Sequence, residues 1–120
     1  MARVLALVDD FFFQAKIMET ARQVGVELRT CATPDTLLAE LEHDSPRLVI
    51  VDLNAGQDPI QAIERLRKAA RDIPLVAFLS HVQTELAERA RVAGCRSVMA
   101  RSQFTRELAT ILAQAKSEPS

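Results

Sequence analysis

The chain has 120 residues, 48% of them apolar, and a formal net charge of −1. That size and composition fit one soluble globular domain with a single core. They exclude a membrane-spanning chain, because no apolar stretch approaches the roughly 18 residues of a span, and a disulfide scaffold, because Cys31 and Cys95 are the only cysteines. Trp and Tyr are absent, which argues against a base-stacking nucleic-acid module. No signal-peptide pattern opens the chain, and a cysteine count of two fits a reducing cytoplasm. Residues 1–60 carry 10 acids and 5 bases, whereas residues 61–116 carry 5 acids and 10 bases. Solvated helix faces are the plain reading of that asymmetry, and a basic docking face on the second half is the alternative.

The first β-like run, Val4–Val8, leads into Asp9-Asp10 and then Phe11, Phe12 and Phe13. Helical spacing follows at Phe13, Ile17, Ala21 and Val24, and Gly25 stands where that helix should end. Successive helical residues turn by about 100°, so three consecutive phenylalanines cannot share one face. Phe13 belongs to the core stripe; Phe11 and Phe12 are left to cover a pocket rim or to meet solvent or a partner. The run Val26–Cys31 alternates through Glu27, Arg29 and Thr30, as an edge strand does. Thr33-Pro34 then opens a helix carrying Leu37, Leu38 and Leu41.

The third run, Leu48–Leu53, holds Asp52 and gives way to "NAGQDP". Asp58-Pro59 opens a helix with Ile60, Ile63 and Leu66 on one stripe. Leu75–Leu79 is followed by Ser80 and His81, then by a stripe of Val82, Leu86, Ala90 and Ala93 that ends at Gly94. The last pair is Ser97–Ala100 and a helix carrying Phe104, Leu108, Ile111, Leu112 and Ala115, with Arg101 at the junction. "SEPS" at 117–120 reads as a frayed tail, which leaves a domain at 1–116.

Five strand-helix alternations predict an α/β fold with a doubly wound parallel sheet, in which ligands bind beyond the carboxyl ends of the strands. Asp9, Asp10, Asp52, Ser80 and Arg101 should therefore meet at one edge. Three neighbouring carboxylates repel unless a cation sits among them, and hard oxygen ligands favour Mg²⁺. The hydroxyl and the guanidinium would remain for an anion beside it, with phosphoryl the natural candidate. Simpler readings exist for each group: the acidic pair as a helix cap, Ser80 in a capping box, Arg101 facing solvent, His81 in a loop rather than at the rim of the phosphoryl pocket, and His43 solvated at a helix end.

From Val4 to about Ala115 the sequence resembles the receiver domain of two-component response regulators. Asp9-Asp10 matches that family's acidic pair, Asp52 its phosphoacceptor, and Ser80 its hydroxyl residue after the fourth strand. The resemblance implies a flavodoxin-like five-stranded sheet of order 2-1-3-4-5 with five helices. It implies phosphoryl transfer from a sensor histidine kinase or phosphotransfer protein to Asp52. It also implies Mg²⁺ held by Asp10, Asp52 and the Asn54 carbonyl, with Asp9 reaching the ion through water. With that strand order, Cys31 and Cys95 fall four strand steps apart, roughly 19 Å and beyond disulfide reach.

Three departures accompany the resemblance. Arg101 stands where the family has Lys, and Arg is planar and forked rather than a point charge. Val98 takes the aromatic switch position, and "NAGQDP" replaces the usual turn after the acceptor. The leading expectation is a stand-alone phosphoacceptor that signals to a downstream protein by contact, without nucleic acid or membrane partners and without enzymatic turnover. The alternative is a pseudo-receiver that serves as an unphosphorylated interaction module. An aspartyl-phosphate hydrolase would need a second Asp at Asn54, and no Gly-rich nucleotide loop is present.

Overall fold

The computed structural model describes residues 3–43, 45–56, 58–69, 72–80 and 83–117. Strands and helices alternate: β1 Arg3–Leu7, α1 Phe11–Val24, β2 Glu27–Cys31, α2 Pro34–Leu41, β3 Leu48–Asp52, α3 Pro59–Ala69, β4 Leu75–Leu79, α4 Thr84–Ala93, β5 Ser97–Ala100 and α5 Arg101–Ser117. All strand pairs are parallel and the sheet order is β2-β1-β3-β4-β5, the flavodoxin-like arrangement that the sequence implied. Leu7 pairs with Cys31 on one side and Val51 on the other, and Asp52 pairs with Phe78. The carboxyl ends of β1, β3 and β4 thus lie at one edge.

Every residue of β1, β3 and β4 is buried, because helices cover both faces. One core layer joins Phe13, Ile17 and Ala21 of α1 to Phe104, Leu108 and Leu112 of α5 over Val4, Ala6, Ile50, Val76 and Phe78. The other joins Leu37 of α2, Ile60, Ile63 and Leu66 of α3, and Ala87 and Ala90 of α4 over Leu5, Leu7, Val49, Val51 and Ala77. Leu38, Leu41, Leu86 and Ala93 are half-buried, and Val82 lies outside the described residues. β2 alternates as expected of an edge; β5 is the opposite edge, and none of its four residues is fully buried.

The strands differ from the apolar runs by single residues. Val8, Val26 and Leu53 are buried but lie outside the strands. Val8 and Leu53 still donate backbone N–H groups to Cys31 and Phe78 carbonyls at 3.1 and 2.9 Å, so burial outlasts the regular ladder. The helix signals behave as the sequence suggests. Thr33 caps α2 by accepting the Thr36 N–H at 3.2 Å, and Asp58 accepts the Gln61 N–H at 3.1 Å. Gly25 and Gly94 end α1 and α4 at φ +90° and +126°, where a side chain would be strained. Cys31 and Cys95 are both buried and free. α5 continues through Ser117, one residue into the expected tail, and 118–120 lie outside the described residues. Among the described residues no helix is long and apolar enough to cross a membrane.

Candidate functional site

Chain reversal after β1 places Asp9 and Asp10 at the sheet's carboxyl edge. Asp10 is extended (φ −88°, ψ 113°) and is the N-cap of α1; its Oδ1 accepts the N–H groups of Phe12 and Phe13 at 2.9 and 3.2 Å. The cap reading therefore holds for one acid of the pair. Its other oxygen, Oδ2, accepts a hydrogen bond from Nη2 of Arg101, the first residue of α5, at 2.9 Å. That guanidinium, followed by the cap N–H groups, holds the Asp10 carboxyl below the usual carboxylate range. Arg101 is not left facing solvent. Its guanidinium carbon lies 4.0 Å from the centroid of the Phe13 ring. Phe13 meets Phe78 edge-on at 5.0 Å, and Phe78 stacks on Phe104 at 4.5 Å.

Asp52 ends β3 and is only 5% exposed. Its Oδ1 accepts the Asn54 N–H at 2.8 Å. Burial raises its pKa; the Asn54 N–H and Arg101 pull the other way, and the charges of Asp9 and Asp10 add only the smallest upward contributions. Mutual repulsion of the acids is thus not the main perturbation here. Desolvation is, and Arg101 offsets part of it.

Two loops close over this edge. Asp9 Oδ2 accepts the Gly56 N–H at 2.7 Å, and a Cβ on Gly56 would sit 3.2 Å from that oxygen, so glycine permits the approach. The Ala55 N–H donates to the Asp52 carbonyl at 3.1 Å, so residues 52–55 form a turn at the end of β3. The Asn54 side chain spans to the next loop: Oδ1 accepts the Ser80 N–H at 2.5 Å and Nδ2 donates to Gln83 Oε1 at 2.8 Å. Ser80 itself is exposed and does not cap α4. Gln83 holds the N-cap position, and its side chain makes no cap bond to the helix. Asn54 and Gln83 as side-chain bridges are what sequence reasoning missed; the only signal was two amides, one two residues beyond β3 and the other immediately before α4.

Phe11 and Phe12 are 82% and 92% exposed, so neither packs over the loop after Asp52. Val98 is half-buried in β5 against the α2–α4 side of the core, and it lines a recess of about 220 Å³ with Leu79, Ala87 and Met99. His81 lies outside the described residues. A groove of about 680 Å³ between α3 and α4 contains none of these groups. Concavity and chemistry part company here, and the chemistry lies at the sheet edge.

The donor set of the corner, carboxylates with a nearby backbone carbonyl, has the right chemistry for a hard divalent cation. Hydrogen bonds within the corner hold its carboxylates. Among the described residues no three His, Cys, Asp or Glu side chains stand close enough to hold a single ion. Both Asp10 oxygens are engaged, and Asp9 is drawn to the Gly56 N–H.

No family model matches the sequence, and no curated protein matches it. Solved structures do. NtrX from Brucella abortus is 24% identical with a TM-score of 0.84; the match covers 96% of this chain and 27% of that one, so the chain spans about a quarter of NtrX. The isolated receiver domain of NtrX is 22% identical, with 96% and 99% of the two chains covered and a TM-score of 0.84. The chemotaxis response regulator CheY4 of Vibrio cholerae is 19% identical over 96% and 98%, with a TM-score of 0.83. The Mn²⁺-bound form of response regulator Rcp1 is 15% identical over 98% and 93%, with a TM-score of 0.78. With 96% of this chain laid over 99% of an isolated receiver and the same strand order in its sheet, this chain has the fold of a response-regulator receiver domain.

Proposed function

We propose that the chain is a phosphorelay signalling module that accepts a phosphoryl group on Asp52 from a histidine kinase or phosphotransfer protein and acts on a downstream protein by contact. The observation that carries this reading is Asp52 itself. It is a buried carboxylate at the end of a central strand, with one backbone N–H on Oδ1 and an arginine in its field. Among the described residues Asp52 has no ion-pair partner; a buried acid in that state costs stability, and such costs are commonly tolerated where chemistry needs them.

In the proposed step an Asp52 oxygen attacks phosphorus and the P–O bond forms as the P–N bond of the donor breaks. The leaving nitrogen keeps the electron pair and takes a proton. Arg101 uses one N–H on Asp10, and its remaining donors would bind phosphoryl oxygens. The Ser80 hydroxyl, exposed beside Asn54, would donate another hydrogen bond. Gathered donors of this kind stabilise the charge that develops on the transferring group.

Intact mass after incubation with phosphoramidate tests the proposal. One added phosphoryl group in the parent and none in Asp52→Asn is the expected result; no uptake by the parent overturns it. A second reading, an interaction module that works unphosphorylated, is favoured by Arg101 being already committed to Asp10 and by the short Val98 at the switch position. Failure of the parent to take up phosphoryl from several donors would establish that reading instead.

A further inference from the structure

We infer that the Arg101 guanidinium is the resident cation of the acidic corner and keeps divalent ions off Asp10, so that the corner assembles without metal. The inference is independent of whether Asp52 accepts a phosphoryl group.

Three observations carry it. Both Asp10 oxygens already accept hydrogen bonds: Oδ1 serves two backbone N–H groups of α1, and Oδ2 serves Arg101 at 2.9 Å. Arg101 is held from a second side, with its guanidinium 4.0 Å from the Phe13 centroid and Phe13 itself packed on Phe78 and Phe104. Releasing Asp10 would cost both the charge-assisted hydrogen bond and the stacking contact. Finally, the remaining acids diverge. Asp9 turns to Gly56 and Asp52 to Asn54, and no three-ligand cluster stands among the described residues.

The competition is unequal. Arg101 is tethered, permanently charged and planar, which suits both the carboxylate and the ring. A divalent ion must shed water and find near-octahedral oxygen geometry to replace it. A lysine at the same position would keep the charge but could not stack its head group flat, so it would yield the carboxylate more readily. The arginine thus acts as an electrostatic plug, and its consequence is weaker divalent-ion affinity at Asp10 than the same carboxylate would have without it.

Mn²⁺ is the probe, with free ion followed by electron paramagnetic resonance during titration of the whole chain. Arg101→Met keeps an apolar stem over Phe13 and removes the charge. It should bind Mn²⁺ about tenfold or more tightly than the parent. Adding Asp10→Asn to Arg101→Met should abolish that gain, because the gain comes from the freed carboxylate. Arg101→Lys, which keeps a cation should the methionine variant fold poorly, should fall between. A parent that binds Mn²⁺ as tightly as Arg101→Met and Arg101→Lys overturns the inference, as does a gain that survives Asp10→Asn.

Discussion

Nη2 of Arg101 lies 2.9 Å from Oδ2 of Asp10, a contact between residues 91 positions apart. It ties the start of α5 to the start of α1 at the same edge where β3 delivers Asp52. Because Asp10 also caps α1, one carboxylate serves local and long-range structure at once.

That double role has a pH signature. The folded pKa of Asp10 lies below its unfolded value, with the Arg101 hydrogen bond the largest cause. Its ionised form therefore contributes stability that is present above the unfolded pKa and lost as pH falls through the folded one. Asp10→Asn retains a cap acceptor but not the ion pair. It should be less stable than the parent at neutral pH, with the deficit shrinking as pH drops from about 5 to 3. Urea midpoints across that range check the expectation; a deficit that does not change with pH would mean that packing, not charge, carries the loss.

Asp52 should show the opposite sign. Burial raises its folded pKa, so the folded state favours the protonated acid, and stability is lost as pH rises from the unfolded value through the folded one. Asp52→Asn removes that loss and leaves an acceptor for the Asn54 N–H. The variant should be more stable than the parent at neutral pH and converge with it below about pH 4. A less stable variant at neutral pH would show that the ionised Asp52 gains more from Arg101 and Asn54 than it loses by desolvation.

The phenylalanines divide sharply. Phe78 is fully buried and stacked on Phe104, so Phe78→Ala should destabilise by about 3–5 kcal/mol. Phe11 and Phe12 stand in solvent, and each alanine substitution should change stability by no more than about 0.5 kcal/mol. Denaturant unfolding of the three variants measures both. A large loss at Phe11 or Phe12 would mean that the collar packs against something in solution.

Burial pushes the thiols of Cys31 and Cys95 up to about 11. At pH 8 that leaves only about one thiol in a thousand ionised, and the thiolate is the reactive form. Neither cysteine should react with Ellman's reagent until the chain unfolds, so the labelling rate should follow denaturant-induced opening. Rapid labelling of the native protein would locate one of them in a more open setting.

Much of this was legible in the sequence, for identifiable reasons. A parallel sheet covered on both faces needs apolar runs such as Leu48–Val51, and an acid at the end of such a run stands out because no exposed position is due there. Spacing could bring Asp10 and Arg101 to one edge but could not say that the guanidinium reaches the carboxylate. That depends on the Phe13 ring, which faces the core side of α1 and offers Arg101 a surface to lie on. The same holds for Asn54, whose side chain rather than its carbonyl joins two loops. That desolvation outweighs repulsion at Asp52 could not be read from spacing, because the burial of a strand-end side chain belongs to the tertiary structure.

The placement of the aromatic rings also decides what light can report. The chain holds five phenylalanines and no Trp or Tyr. Three of them, Phe13, Phe78 and Phe104, form one contact group in the α1–α5 layer, and the layer beneath α2, α3 and α4 has no ring. Near-ultraviolet circular dichroism of this protein is therefore blind to half of its core and reads the other half, whose outermost ring lies under Arg101. The molecule carries its own one-sided optical gauge, tuned by position to the charge state of the corner.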